Sequence, residues 1–124
     1  MVRGTAAITL LLLSALAAAQ DDDRVEHFVD DLSERQPLNT VAPAYPVKAQ
    51  RARLEGDVQV CFNIDKDGRP HRIAVRQSTN RVFEKPAVRA IRASSFAKLG
   101  PDEVPSGIKT CRTFFFRLEP VRPD

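Results

Sequence analysis

The chain has 124 residues, 28% charged and 43% hydrophobic, with a formal net charge of +3, two cysteines and two histidines. That length holds one domain, and the composition is that of a folded soluble chain rather than a disordered one. The mild charge argues against a nucleic-acid binder, and two histidines with no C-x-x-C exclude the usual metal and thioredoxin-like patterns.

Arg3 precedes TAAITLLLLSALAAA, an uncharged run from Thr5 to Ala19 that ends in small residues. A basic start, a short apolar centre and an A-x-A site predict a secretory signal peptide over residues 1–19. The run is shorter than the ~20 residues of a spanning helix; a short uncleaved anchor is the alternative. Residues 20–37, QDDDRVEHFVDDLSERQP, are acidic, with Val25, Phe28, Val29 and Leu32 at i, i+3, i+4, i+7. This spacing predicts an amphipathic helix capped by Asp22 or Asp23 and stopped by Pro37, lying on the domain or frayed from it.

The domain proper is expected over residues 38–120, with a tail at 121–124. Pro43 and Pro46 bias the residues before them to extended backbone, so Ala44-Tyr45 reads as an ordered loop. Val47 to Leu54 predicts a short helix ended before Gly56. Val58, Val60, Phe62 and Ile64 then alternate with Asp57, Gln59, Cys61 and Asn63, a period of two with one apolar face. Asp65-Lys66-Asp67-Gly68 is turn chemistry, and the return arm from Pro70 to Gln77 puts Ile73 and Val75 on a matching face, so the stretch is a hairpin.

Val82 to Phe96 predicts a helix with Pro86 in its first turn and Phe83, Ala87, Ala90, Ile91 and Ser94 on one face. After a loop with Pro101, Pro105 and Gly107, a last strand has Arg112, Phe114, Phe116 and Leu118 alternating with Cys111, Thr113, Phe115 and Arg117. The fold class is α+β: a three-stranded antiparallel sheet in β-β-α-β order with a helix packed on one face. The last strand can lie beside the first, because the crossover helix then passes over one intervening strand.

Cys61 and Cys111 fall on the faces opposite the apolar rows of their strands. If those strands are neighbours, both sulfurs emerge on the side away from the helix, close enough for a bridge. In an exported chain a disulfide is the leading reading. Closing a loop of about 50 residues would contribute about 4 kcal/mol in the chain-entropy model. Two free thiols or a catalytic cysteine are the alternatives, and no base is placed near either sulfur.

Nothing else in the sequence makes an enzyme. Asp65 and Asp67 serve as turn formers, and Ser94 and Ser95 have no placed His–acid pair. Phe115 with Arg117 does not make the stacked-aromatic face of an RNA-binding sheet. Tyr45, between two prolines, reads as a loop anchor or a contact residue. Arg76, Arg81 and Arg89 read as scattered surface charge.

The run YPVKAQRARLEGDVQVCFNIDKDGRPHRIAV, followed by FEKPAVRAIRASSF and a closing FFFRLE strand, resembles the TonB C-terminal domain family. The matching positions include Tyr45-Pro46, Ala49, Glu55-Gly56, Val58, Phe62, Asp67-Gly68, Val75, Ser78, Phe83, Ala87, Ala90 and Phe96. The resemblance implies a periplasmic, non-enzymatic module without cofactor, metal or small-molecule substrate. Family members work with a proton-driven inner-membrane complex and engage outer-membrane receptors, whose extended segment adds as a strand to the module's last strand. Carried onto this chain, the partner-binding residues are Pro43, Ala44 and Tyr45 in the loop and Lys109, Thr110, Arg112, Thr113, Phe115 and Arg117 along the strand.

The partner implied is an envelope protein such as a TonB-dependent outer-membrane receptor, with no nucleic acid. A homodimer, in a structural self-associating envelope domain without energy transduction, is the alternative. The localisation implied is the periplasm, or an inner-membrane anchor facing it. The apolar N-terminal run has no His, and Gln20–Asn39 is a tether of at most about 70 Å extended, nearer 25 Å as a coil. Ser94 stands where the family has an aromatic residue, and Ala97-Lys98 where it has Lys-Pro.

Overall fold

The computed structural model describes residues 23–31 and 35–118. Its elements are β1 (Asp23–Asp31), β2 (Pro37–Asn39), α1 (Val47–Arg51), β3 (Gly56–Ile64), β4 (Pro70–Ser78), α2 (Glu84–Ala93), β5 (Ser95–Phe96) and β6 (Thr110–Leu118). The expected β-β-α-β unit is β3, β4, α2 and β6. β6 lies beside β3 and antiparallel to it, in the sheet order β1-β6-β3-β4. β4 and β6 therefore run in the same direction, and α2 crosses over β3 between them.

The period-two pattern of β3 is realised as read: Gly56, Val58, Val60, Phe62 and Ile64 are buried, and Asp57, Gln59 and Asn63 less so. Phe83, in a 3-10 turn ahead of α2, joins Ala87, Ala90 and Ile91 of the helix over this face, with Phe96, Phe114 and Phe116 closing the core. Phe83 and Phe116 stack at 4.4 Å between ring centroids. α1 ends at residue 51 because Arg53 takes a left-handed φ of 56°. Arg53 N–H then donates to Gln50 and Leu54 N–H to Ala49, a Schellman closure.

α2 is shorter than expected, because Ser94 adopts an extended backbone and serves as its C-cap. The Ser94 hydroxyl donates to the Ala90 carbonyl (2.8 Å) and accepts from Val41 N–H (3.1 Å). Ser95–Phe96 then leave the helix to pair with Pro37–Asn39. A small hydroxyl at residue 94 thus ties the helix end to the chain that enters the domain.

The segment around Val25 and Phe28, expected as an amphipathic helix, is instead a strand. β1 pairs antiparallel with β6 from Asp23–Leu118 to Asp31–Cys111, with a bulge between Val25 and His27. The last strand of the sequence is therefore an inner strand, with β3 on one side and β1 on the other. The physical reason is the flank of β6 itself. Its main-chain N–H and C=O groups need partners, and a nine-residue neighbour supplies them more fully than a short surface helix. Residues 1–19, expected to be a signal peptide, Leu32 and the tail at 121–124 lie outside the described residues. No helix among the described residues is long and apolar enough to cross a membrane.

Candidate partner-binding edge

β6 reads TCRTFFFRL, a strand rich in aromatic and β-branched residues whose two faces have different roles. On the helix side Arg112, Phe114 and Phe116 are 1% exposed or less. The Arg112 guanidinium lies 5.7 Å from the centroid of the Phe96 ring, so the core accepts it over an aromatic face. On the opposite side stand Cys111, Thr113, Phe115 and Arg117. Cys111 is bonded to Cys61, which faces it in register on β3 with Cα atoms 4.0 Å apart. The bridge expected from the sequence fastens β6 to β3.

Arg117 organises the far end. Its Nη2 is 2.7 Å from Asp57 Oδ1, its Nη1 donates to the carbonyls of Gly56 (3.1 Å) and Phe116 (3.0 Å), and its guanidinium covers the Phe115 ring. The ion pair is about a third exposed on each side (35% and 38%), so it contributes about 0–1 kcal/mol. Its effect is geometric, holding the side chains of β6 against β3 on the open face. Leu118 N–H donates to Glu55 Oε2 at 2.7 Å, anchoring the strand's last residue.

The residues singled out in the sequence divide into three groups. Thr113, Phe115 and Arg117 are half-buried on the open face beside β1, and Lys109 is exposed just ahead of the strand. Thr110 (5% exposed) and Arg112 point inward and offer a partner their main chain only. Buried Pro43 and exposed Ala44 line a groove of about 380 Å³ with Pro86, Arg89, Ala90 and Ala93 of α2. Tyr45 is the anchor of that loop: its ring meets Phe83 and Phe116 edge-on at 5.6 and 5.5 Å, and its hydroxyl donates to the Leu54 carbonyl. The loop and the strand thus meet through Tyr45 and Phe116, with the groove on the helix side.

Two participants escaped the sequence reading. One is β1, whose short apolar spacing fits a helix as well as a strand. The other is Arg35, whose guanidinium donates to the carbonyls of Ala97 (2.8 Å) and Asp65 (2.6 Å). A lone Arg between Glu34 and Gln36 carries no signal of that kind. Among the described residues, no group of three or more His, Cys, Asp or Glu could hold a metal ion.

Comparison with known proteins agrees with this geometry. The family model for the Gram-negative bacterial TonB protein C-terminal matches residues 41–118. Protein TonB of Pseudomonas aeruginosa is 32% identical over 91 residues, covering 73% of this chain and 27% of that protein. Protein TonB of Klebsiella aerogenes is 32% identical over 83 residues, covering 66% and 32%. The chain therefore spans about a third or less of the length of these curated relatives. The solution NMR structure of the Pseudomonas aeruginosa TonB CTD superposes with a TM-score of 0.61 at 31% identity, covering 74% of this chain and 94% of that one.

Proposed function

We propose that this chain, which belongs to the TonB C-terminal domain family, is a periplasmic protein-binding module that takes up an extended segment of an outer-membrane transport receptor by strand addition to β6. The family supplies the receptor-interacting role in general terms. The observation that carries the finer reading is the β1 ladder: the flank of β6 away from β3 accepts an antiparallel strand along residues 111–118. A receptor segment on the same flank would gain its affinity from main-chain hydrogen bonds. Its register would be read by Thr113, Phe115 and Arg117 on the open face and by Lys109 at the entrance. Tyr45 supports the strand from the core side, and the Pro43–Ala44 groove lies next to it. The module acts by binding and needs no cofactor or catalytic group, and the disulfide suits an oxidising compartment.

A photo-reactive amino acid at Phe115, irradiated in intact bacteria, tests this reading. We expect a covalent adduct with an outer-membrane protein, and none from the same probe at Lys85, exposed on α2 outside the groove. Adducts formed only with further copies of the chain would replace the reading with that of a self-associating envelope domain.

A further inference from the structure

β6 cannot receive a partner on that flank while β1 is there. β1 pairs with residues 111–118, whereas β3 pairs with 110–116 on the other side, so both flanks of β6 are taken over nearly its whole length. We infer that β1 is a built-in competitor for the partner site. The partner enters by displacing it, and does so as an extended acidic segment antiparallel to β6. This inference rests on the reading of β6 as the partner-binding strand.

Three observations carry it. The first is separability. From Arg35 onward the entering chain is held by groups other than β6: Arg35 on Ala97 and Asp65, Gln36 O on Ala97 N–H, and Val41 N–H on Ser94. β1 can leave its flank while that anchorage stays in place. The second is proximity. Residue 31 ends β1 and Arg35 is already fixed, so a released β1 remains at an effective concentration on the order of millimolar beside its site. Each tenfold bias towards the capped state weakens a partner's apparent affinity about tenfold.

The third is charge. Between residues 23 and 31 the chain has Asp23, Glu26, Asp30 and Asp31 against Arg24, whereas residues 108–118 carry Lys109, Arg112 and Arg117 and no acid. In register Asp30 stands opposite Arg112, and the single base, Arg24, opposite Arg117. Arg112 points inward and Arg24 is set against a like charge, so the bias lies in the overall charge of the flank, which has three bases and no acid and favours an acidic occupant over a basic one.

The test uses the intact protein and, as probe, a fluorescent peptide of residues 22–32. Opposed residues in an antiparallel ladder alternate between hydrogen-bonded and non-bonded pairs. The double variant Phe28→Pro/Val29→Pro therefore removes at least one ladder bond whichever pair is bonded. We expect the variant to bind the peptide at least tenfold more tightly than the wild type, by fluorescence anisotropy. A peptide with lysine in place of its five acids should bind at least tenfold more weakly. Equal binding by variant and wild type, or indifference to the charge reversal, overturns the inference.

Should the variant not fold, amide hydrogen exchange of the wild type decides. Protection of alternate amides within 23–31, those bonded to β6, at least tenfold over the free peptide supports the occupant, and no protection anywhere in 23–31 removes it. The Phe115 photoprobe in the proline background separates the two ideas. If the peptide binds as expected but capture of envelope protein does not rise, β1 caps the flank and the flank is not the partner site. The reading of function then falls, and the competitor role with it.

Discussion

Asp65 shows how much one side chain fixes at the hairpin tip. Its Oδ1 accepts from the backbone N–H groups of Asp67 and Arg69, both at 2.9 Å, an Asx turn that stabilises the reversal. The Arg69 N–H holds the Asp65 carboxyl below the usual carboxylate range. Partial burial opposes it, while the Asp67 N–H and the charges of His71 and Arg69 act with it. A carboxyl whose folded pKa is depressed adds stability above its unfolded pKa, about pH 4. That stability is lost as pH falls through the folded value. Urea midpoints measured from pH 6 to pH 2 should therefore fall below about pH 4 in the wild type. They should fall less in Asp65→Asn, which keeps an acceptor oxygen but not the titrating charge. Parallel curves for the two proteins would remove Asp65 from the acid limb.

At the scale of elements, the hairpin tip is also a docking point. Gly68 has φ +86° and is buried against β5, whose Phe96 N–H donates to the Gly68 carbonyl at 2.9 Å. A Cβ there would lie 2.0 Å from the Phe96 carbonyl oxygen, a main-chain atom that cannot step aside. Gly68→Ala should thus cost about 3 kcal/mol, at the top of the range for backbone strain. That lowers Tm by roughly 4–8 °C per kcal/mol for a domain this small. Gly107→Ala, where a Cβ meets nothing within 4 Å, should leave Tm unchanged. The hairpin, α2 and β6 were legible in the sequence because alternation, turn residues and helix stripe agreed with one another. The three-stranded sheet with its helix followed directly from them.

β1 was not legible, and the reason is physical. Val25, Phe28 and Val29 fit a helical stripe, and the same residues serve equally in a strand once a bulge after Val25 is allowed. Nine residues do not decide between the two, and the choice is made by an unpaired flank brought up from the other end of the chain. The candidate site was legible in part for the same reason. Alternation put Arg112 and Phe115 on opposite faces correctly, but that the flank carries a strand of its own is a tertiary fact. Tyr45 could be read either way, and its packing on Phe83 and Phe116 makes it an anchor.

For the whole molecule the disulfide is the largest single contribution that can be isolated. It closes a loop with a sequence separation of 50, worth about 4 kcal/mol in the chain-entropy model. Cys61→Ser/Cys111→Ser should lower the unfolding free energy in urea by about that amount. A loss under about 1 kcal/mol would mean that the reduced unfolded chain is already compact.

The bridge also grades the seams of the sheet by strength. β6 is riveted covalently to β3 at Cys111, while its seam with β1 is a ladder of hydrogen bonds. Under tension the two behave differently. A pull along β1 loads its ladder in shear, all rungs together, whereas a sideways pull from Asp31 opens it one rung at a time, like a zipper. In either case the outer seam gives way before the inner one, because β6 cannot peel from β3 past the sulfur bond. A strand that took the place of β1 would be hauling on a neighbour bolted into the body of the domain.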